Sequence, residues 1–342
     1  MAESWKAYTS DDVINWLLEE DTDNAPIRYL ALRDLIGMPA GNEDLVQSKA
    51  FMVEQGPIPA ILTKQHPDGH WDRTDSIYYD KYTGTCWSII MLAQMGADAS
   101  DARVKLGCDY LLAQGVGEHG GFSMNGRRTG AVHCLQGNLA SSLLDMGYEN
   151  DPRVLAAIEW MARSVTGEGF LESKDTGNDY YMRSGICGPG FCCSANNFAP
   201  CAWGAVKVGL ALSKVPVGQR SPNVNRAINA CVEFLTSVDP ASAEYTHPWA
   251  PKPSTSWFKF GFPVFYITDL LQILETLTAL GLKGDKRLKN AVDLVLAKRD
   301  KDQRWPMEYT YNGKTWIAIE EKSKPSKWVT LRVLRMLKQY FG

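Results

Sequence analysis

The sequence contains little that would direct the chain to a membrane or to nucleic acid. Its 342 residues carry a formal net charge of −3, which gives no reason to expect nucleic acid or an anionic membrane surface as a partner. No run of 18 apolar residues occurs, so no integral membrane segment is expected. The N-terminal Met1–Trp5 lacks the basic start and apolar core of a secretory leader. We therefore expect a soluble, cytoplasmic protein, and nothing indicates an oligomeric state.

Stretches typical of β-strands are also nearly absent, whereas apolar residues recur at helical spacing through most of the chain. The pattern predicts about eleven helices and a single all-α domain over 1–342, beginning with a helical hairpin at about 10–37. The later helices are predicted near 45–63, 83–95, 101–114, 131–146, 151–164, 201–214, 222–237, 265–281, 285–298 and 327–340.

One short phrase ends several of these helices. It consists of leucine or methionine, then glycine, a few polar residues, an acidic residue and an arginine before the next apolar run. Glycine fits the position just past a helix end, where a positive φ is required, and the acidic residue fits the cap of the next helix. The phrase occurs at Met95-Gly96 with Asp101, at Met146-Gly147 with Asp151, and at Leu280-Gly281 with Asp285, and a degenerate copy runs from Leu212 to Val224. Such recurrence predicts a repeated helix–turn–helix unit, and pairs of this kind either stack into an open solenoid or close into a ring.

Glycine–aromatic segments separate the helical pairs. Gln65-His66-Pro67-Asp68-Gly69-His70-Trp71 resembles the Q-x-x-x-G-x-W repeat of the squalene cyclases and the protein prenyltransferase β subunits, and Tyr82–Trp87 is similar to the same superfamily's repeat. The chain most resembles small single-toroid bacterial proteins of that repeat class, with a terpenoid cyclase-like fold. The resemblance implies a closed (α/α)6 toroid around a central cavity, and it spans roughly residues 30–340.

The catalytic motifs of that superfamily do not accompany the repeat. Squalene-type cyclases protonate an alkene with a D-x-D-D motif, and class I terpene synthases hold magnesium with D-D-x-x-D. The nearest matches here are Asp21-Thr22-Asp23-Asn24 and Asp11-Asp12, close to the N-terminus. Neither mechanism is therefore expected in its usual form.

Cysteines are concentrated in one glycine-rich segment between 187 and 201. Thiolates placed on a flexible loop can converge on a soft cation, which predicts a bound zinc. The candidate ligands are Cys134, Cys187, Cys192, Cys193 and Cys201, with one of the adjacent pair expected to be spare. Four thiolates would make a closed, structural site, and three would leave an open position. A cysteine nucleophile paired with His133, and inert thiols, remain alternatives. Cys86, Cys108 and Cys231 fall on apolar helical faces and are expected in the core.

Aromatic residues are numerous and cluster in loops, with 11 tryptophans and 14 tyrosines. In a toroid they could line a cavity for an apolar or cationic guest, or simply fill the ring. The candidate substrate-binding residues are Trp71, Tyr79, Tyr82, Trp203, Trp257, Phe262 and Tyr266. Asp269 is a candidate general acid or a helix cap, and His247 is a candidate base or an exposed loop residue.

These features favour an enzyme that acts on a hydrophobic, isoprenoid-like small molecule in a central cavity, by lyase, isomerase or cyclase chemistry and with a cysteine-bound zinc. A zinc-dependent hydrolase or transferase with an open thiolate site is one alternative. The other is a binding or scaffold protein with structural zinc.

Overall fold

The chain folds into helices joined by short turns and a few long loops. The computed structural model describes residues 4–127, 130–168, 187–247 and 250–342. In order, the α-helices are α1 (Asp11–Leu18), α2 (Pro26–Ala31), α3 (Glu43–Glu54), α4 (Pro57–Leu62), α5 (Thr85–Gln94), α6 (Ala102–Gly115), α7 (His133–Asp145), α8 (Pro152–Thr166), α9 (Ala202–Ser213), α10 (Pro222–Leu235), α11 (Leu270–Ala279), α12 (Lys289–Ala297) and α13 (Lys327–Phe341). A π-helical turn, Leu32–Ile36, extends α2. Within these ranges no helix is both long and apolar enough to cross a membrane.

The repeated phrase forms the turns between successive helices, as the sequence predicts. Its glycines all have a positive φ, which is 81° at Gly96, 92° at Gly147 and 101° at Gly281. Its acidic side chains cap the following helical segment by accepting a backbone N–H bond two residues later, at Asp101, Asp151 and Asp285. The helix–turn–helix repeat is thus confirmed at the level of individual hydrogen bonds.

The helices alternate between an inner and an outer ring. Helices α2, α5, α7, α9, α11 and α13 form the inner ring. From α5 to α13 each of these helices packs against the next, and α13 packs against α2. The outer layer contains α1, α3 with α4, α6, α8, α10 and α12. The ring closes where α13 packs against α1 and α2, and Trp328 Nε1 donates to Asn24 Oδ1 at 2.8 Å. The fold is therefore the all-α (α/α)6 toroid that the repeats imply.

Burial explains which helices lie inside. Inner helices such as α5 are buried on nearly all sides and carry apolar residues around their circumference. Small residues let two of them approach closely: a Cβ added to Gly137 on α7 would lie 2.2 Å from the backbone carbon of Lys207 on α9. Across the same contact, a Cβ on Gly204 would lie 2.9 Å from Cβ of His133. Glycine at these positions sets the spacing of α7 and α9.

Tryptophans of the glycine–aromatic segments connect neighbouring repeats. Trp71 and Trp305 are fully buried, and their indole N–H groups donate to the C-terminal ends of α4 and α12, at Ile61 O (3.0 Å) and Val295 O (2.7 Å). The backbone N–H of each tryptophan donates to a threonine in the first turn of the next inner helix, at 3.1 Å in both cases. The repeat motif thus joins an outer helix to the following inner one.

Two predicted helix boundaries differ from the structure. The helix predicted over 45–63 is divided into α3 and α4. Gly56 separates them with a φ of 80°, and its α-carbon lies so close to Thr22 O that no side chain would fit there. Pro57 then begins the new helix. The helix predicted over 265–281 begins only at Leu270, because Asp269 caps it by accepting the N–H of Gln272 at 2.7 Å. That the whole chain is one domain stays a prediction.

Candidate functional site

A cavity of about 880 Å³ lies in the centre of the toroid, and all six inner helices contribute to its wall. Its mouth is at the C-terminal ends of these helices, where Asp145 and Lys214 are partly exposed. The apolar part of the lining comprises Leu30, Ile90, Leu210, Phe262, Val264 and Met336. The charged part comprises Arg33, Asp34, Asp145, Lys214, Glu275, Arg332, Arg335 and Lys338. The cavity is large enough for a small molecule and has both apolar and ionic walls.

The aromatic segment before α11 crosses the interior of the ring and forms the floor of this cavity. Gln94, at the end of α5, exchanges two hydrogen bonds with the backbone of Val264, at 2.8 and 2.9 Å. On the other side of the segment, Phe265 packs against Tyr82 and Trp87 with ring centroids 5.0 and 5.3 Å apart. Aromatic side chains from opposite sides of the ring therefore meet and fill the end that holds the N-termini of α5 and α11.

The structure separates the seven predicted substrate-binding aromatic residues, all of which are described. Phe262 lines the cavity and stacks on Trp328, with ring centroids 3.9 Å apart. Tyr82 and Tyr266 belong to the aromatic floor, and Trp71 is committed to packing between repeats. Tyr79 is half exposed on a loop. The remaining two, Trp203 and Trp257, line a second and smaller pocket.

A buried ionic network forms one wall of the cavity. Arg332 donates to both oxygens of Asp269, at 2.9 and 3.0 Å, and to both oxygens of Glu275, at 3.0 and 2.8 Å. The side chains of Arg332 and Asp269 are 8% and 6% exposed, and that of Glu275 is 21% exposed, through the surface that faces the cavity. Asp269 thus caps α11 and forms an ion pair with Arg332, and the cap is one of the two roles that the sequence predicts for it. Its catalytic role stays a prediction.

Burial raises the pKa of the Glu275 carboxyl, and Arg332 lowers it only in part. Burial alone would also lower the pKa of Arg332, but its two carboxylate partners raise it well above its ordinary value. Two carboxylates share one guanidinium, so one negative charge lacks a direct partner in this network. Protonation of Glu275 removes that excess charge, which makes Glu275 a carboxyl able to hold a proton at the cavity wall.

A buried lysine adjoins the same network. Lys207 is fully buried on α9, and its Nζ donates to Gln272 Oε1, which also accepts from Thr268 Oγ1 at 2.6 Å. Burial lowers the pKa of Lys207 to about 7, and the charge of Asp269 opposes that shift. Burial therefore favours the neutral form of both Glu275 and Lys207, and titratable groups shifted in this way are the ones from which acid–base chemistry can proceed.

The two predicted histidines lie away from this wall. His133 begins α7 and is buried towards α8, where its Nε2 is 3.1 Å from Ser164 Oγ. Burial lowers its pKa to about 3, so the ring is neutral at physiological pH. His247 is exposed on a loop at the edge of the smaller pocket. Their predicted catalytic roles are untested by these positions, but neither residue lines the central cavity.

The predicted zinc ligands do not assemble into one set. None of the eight cysteines, all within the described ranges, forms a disulfide, and Cys86, Cys108 and Cys231 are buried in the core as expected. Cys187 is buried in a small separate cluster with Ala131, and Cys192 Sγ donates to Phe198 O at 3.2 Å.

Cys134, Cys193 and Cys201 do interact electrostatically with one another. However, in the described part of the chain no three His, Cys, Asp or Glu side chains are placed to hold a metal. These residues do not fit a zinc tetrahedron as they stand, and zinc stays a prediction.

Sequence reasoning missed Glu275, Arg332 and Lys207. Glu275 and Lys207 are each the single charged residue of an apolar inner helix, as in Ile273-Leu274-Glu275-Thr276-Leu277 and Val206-Lys207-Val208, and Arg332 lies between apolar residues in Leu331-Arg332-Val333-Leu334. Because ionised side chains are almost never fully buried without a partner, a charge at such a position is a signal that could have identified them.

No protein-family model matches the chain, and no curated protein sequence matches it. Among solved structures, it is similar to a variant of the type II terpene cyclase MstE from Scytonema in complex with geranylgeranyl dihydroxybenzoate, described as its substrate. That match has 12% identity and a TM-score of 0.34, over 83% of this chain and 95% of the other. An apo MstE variant matches at 14% identity and a TM-score of 0.36, over 82% and 94%.

Proposed function

We propose that the protein is an acid-catalysed lyase or isomerase of the cyclase type, acting on a hydrophobic, isoprenoid-like molecule bound in the central cavity. The observation that carries this proposal is the Glu275 carboxyl, whose pKa burial raises and which faces a cavity of about 880 Å³. The isoprenoid character of the substrate is supported by the resemblance of the repeats. No step of the proposed mechanism passes through a metal.

In the proposed reaction, Glu275 donates its proton to one carbon of a substrate alkene. The O–H bond breaks, a C–H bond forms from the alkene electron pair, and the positive charge develops on the more substituted carbon. Arg332 stabilises the carboxylate left behind, because it already donates to both Glu275 oxygens. Phe262 lines the same cavity, and an aromatic ring near a developing positive charge stabilises it. The Glu275 carboxylate then takes a proton from a neighbouring carbon, and the C–H electron pair becomes a new C=C bond, which regenerates the acid. The product is isomerised, or cyclised when a second alkene of the substrate has first attacked the cation.

The test combines ligand binding with product analysis. Geranylgeraniol and geranylgeranyl dihydroxybenzoate are incubated with the wild-type protein, and products are sought by mass spectrometry and chromatography. Glu275→Gln keeps the shape of the side chain but removes its proton, so we expect conversion to fall by about 100-fold or more. Glu54→Gln, on the outer helix α3, is the matched control and should leave conversion unchanged.

Binding is measured separately from turnover. Met336→Trp places a large side chain in the cavity and should abolish the thermal stabilisation that the ligand gives the wild type. Wild-type conversion by Glu275→Gln would refute the role of that carboxyl. Equal ligand stabilisation of wild type and Met336→Trp would refute the cavity as the binding site. Binding without conversion in any variant would make the protein a carrier instead of an enzyme.

A further inference from the structure

Part of the central cavity is lined by polar, uncharged side chains. Asn138, Ser141 and Ser142 lie on one face of α7, at helical spacing, and all three line the cavity. Each of them is buried, with only 6%, 7% and 4% of its surface exposed. No described residue forms a hydrogen bond with these side chains, and their polar atoms are not enclosed by protein, so they open on the cavity. This face can therefore bind polar atoms of a ligand.

Gln272 adds a side-chain amide from α11. Its Oε1 accepts hydrogen bonds from Lys207 Nζ and from Thr268 Oγ1, the latter at 2.6 Å. Because both partners donate to the amide oxygen, that oxygen faces them and the amide nitrogen points the other way. Within the described ranges Nε2 has no hydrogen-bond partner, it is not enclosed by protein, and Gln272 lines the cavity. The N–H donors of this amide therefore open on the cavity in a fixed orientation.

Lys207 explains why that orientation is stable. It is fully buried on α9, and among the described residues Gln272 Oε1 is the acceptor that its Nζ reaches. Rotation of the amide would place N–H groups against the donors of Lys207 and leave buried polar groups unpaired, at a cost in free energy. Gly137, which precedes Asn138, packs on the backbone of Lys207, so the polar face of α7 and the Gln272 amide belong to one region of the wall.

We propose that the ligand of the central cavity is an oxygenated isoprenoid, that Nε2 of Gln272 donates a hydrogen bond to its oxygen, and that Lys207 positions the amide for this bond. This assignment rests on the proposed function, because it concerns the substrate of the same cavity. Gln272 and Glu275 are three residues apart on α11 and both line the cavity, so the bound oxygen lies about one helical turn from the proposed acid. Carbonyl and hydroxyl oxygens are both acceptors of the required kind.

A hydrogen bond at this point selects the ligand. An oxygen atom satisfies the Gln272 N–H group, whereas a hydrocarbon in the same place leaves that donor without a partner and loses affinity. One neutral hydrogen bond of this kind corresponds to roughly a 10-fold change in a dissociation constant. We therefore expect the wild type to bind an oxygenated isoprenoid about 10-fold more tightly than the matching hydrocarbon.

The test measures dissociation constants, by quenching of tryptophan fluorescence, for ligands of one carbon skeleton. Geranylgeranial has a carbonyl group, geranylgeraniol has a hydroxyl group, and 1-deoxygeranylgeraniol is the corresponding hydrocarbon. In Gln272→Glu, the carboxylate still accepts from Lys207 and Thr268 but offers no N–H donor. The ratio of the hydrocarbon Kd to the geranylgeranial Kd should therefore fall from about 10 to about 1. Gln114→Glu, the same change at an exposed position of α6, is the matched control.

Geranylgeraniol distinguishes the two kinds of oxygen. Its hydroxyl group can accept from the wild-type amide and can also donate to the carboxylate of Gln272→Glu, whereas a carbonyl oxygen only accepts. We therefore expect the Gln272→Glu change to weaken the binding of geranylgeranial more than that of geranylgeraniol. Equal weakening of both would still support an acceptor oxygen, since each ligand then depends on the N–H donor.

Lys207→Met tests the positioning role. Without the lysine the amide is free to rotate, so the Kd ratio should fall although Gln272 itself is unchanged. A lysine that only packed between helices would change stability but leave this ratio as it is. The double variant Lys207→Met/Gln272→Leu removes both members of the pair, so that neither is left buried without its partner, and its ratio should be no lower than that of Gln272→Glu.

The outcomes separate this assignment from the proposed function. Equal wild-type affinity for geranylgeranial and the hydrocarbon, or an unchanged ratio in Gln272→Glu, would overturn the role of Gln272 and leave the reaction at Glu275 to its own test. An unchanged ratio in Lys207→Met would overturn the positioning role. If the wild type binds none of the ligands, the assignment and the proposed function both fail. Circular dichroism shows whether each variant is folded, and the double variant decides if Gln272→Glu is not.

Discussion

Replacing Arg332 by methionine would test the buried network most directly. Methionine keeps much of the side-chain volume but removes the cation that Asp269 and Glu275 share. Removing one partner of a buried ion pair leaves an uncompensated buried charge, which typically costs about 3–5 kcal/mol of unfolding free energy. Since two carboxylates lose their partner here, we expect a loss at the upper end of that range at pH 8.

The loss should depend on pH in a defined direction. Burial already raises the pKa of Glu275 and Arg332 lowers it in part, so without Arg332 the folded-state pKa of Glu275 is expected to lie further above that of the unfolded chain. A carboxyl whose pKa is higher in the folded chain than in the unfolded chain stabilises the folded state at pH values below the unfolded pKa. This stabilisation is lost as the pH rises through the folded-state pKa. The Arg332→Met variant should therefore be closest to the wild type near pH 4 and fall furthest behind it at pH 8.

Urea unfolding, followed by tryptophan fluorescence at pH 4.5 and pH 8, measures these differences. Adding Glu275→Gln to Arg332→Met removes one of the orphaned charges and should recover part of the stability at pH 8. The control is Arg287→Met, which breaks a half-exposed pair with Asp285 and should cost much less at either pH. The reasoning fails if the two arginine variants lose equal stability, or if the loss at Arg332 is independent of pH and unaffected by Glu275→Gln.

Two further predictions concern the contact between α7 and α9 and the buried histidine. Gly137→Ala should lower the free energy of unfolding by about 1–3 kcal/mol or more, because the added Cβ would overlap the backbone of Lys207. Gly41→Ala is the control, since there is open space around Gly41. Equal melting temperatures for the two variants would contradict the close approach of α7 and α9. Burial lowers the pKa of His133 to about 3, so between about pH 6.5 and pH 3 this histidine is protonated in the unfolded chain but not in the folded one. The free energy of unfolding should therefore decrease by up to about 1.4 kcal/mol for each pH unit of acidification in that range. His133→Gln should flatten that slope in urea titrations at pH 7, 5.5 and 4.5, and an unchanged slope would show that His133 is not the group responsible.

Local signals in the sequence were sufficient for much of the fold. The glycine at a helix end and the capping carboxylate act within a few residues of each other, so Gly96 and Asp101 could be assigned to a turn and a cap without tertiary structure. The tryptophan of the repeat also acts locally, since Trp71 contacts residues only 10 and 14 positions away, but the toroid was expected from the resemblance of that repeat to a known family. A local feature also explains the missed division of α3 from α4, because Gly56 and Pro57 stand side by side in the sequence.

The candidate site could not be predicted in this way. The sequence indicated thiols and aromatic residues, but it could not show that Cys187 is buried in a separate cluster or that, of the seven candidate aromatic residues, only Phe262 lines the central cavity. Those outcomes depend on which face of a loop or helix meets its neighbour, and that is settled only when the neighbour is in place.

What the sequence alone determined is the repeat and its turns, and the ring of paired helices was expected from the family resemblance that the repeat carries. What only the tertiary structure decided is the chemistry inside the ring. Arg332 meets Asp269 from 63 residues away, and Lys207 meets Gln272 from 65 residues away. Turn and cap preferences act between residues close in the chain, whereas the partners of a buried charge are selected by ring closure, which brings distant inner helices together around one cavity.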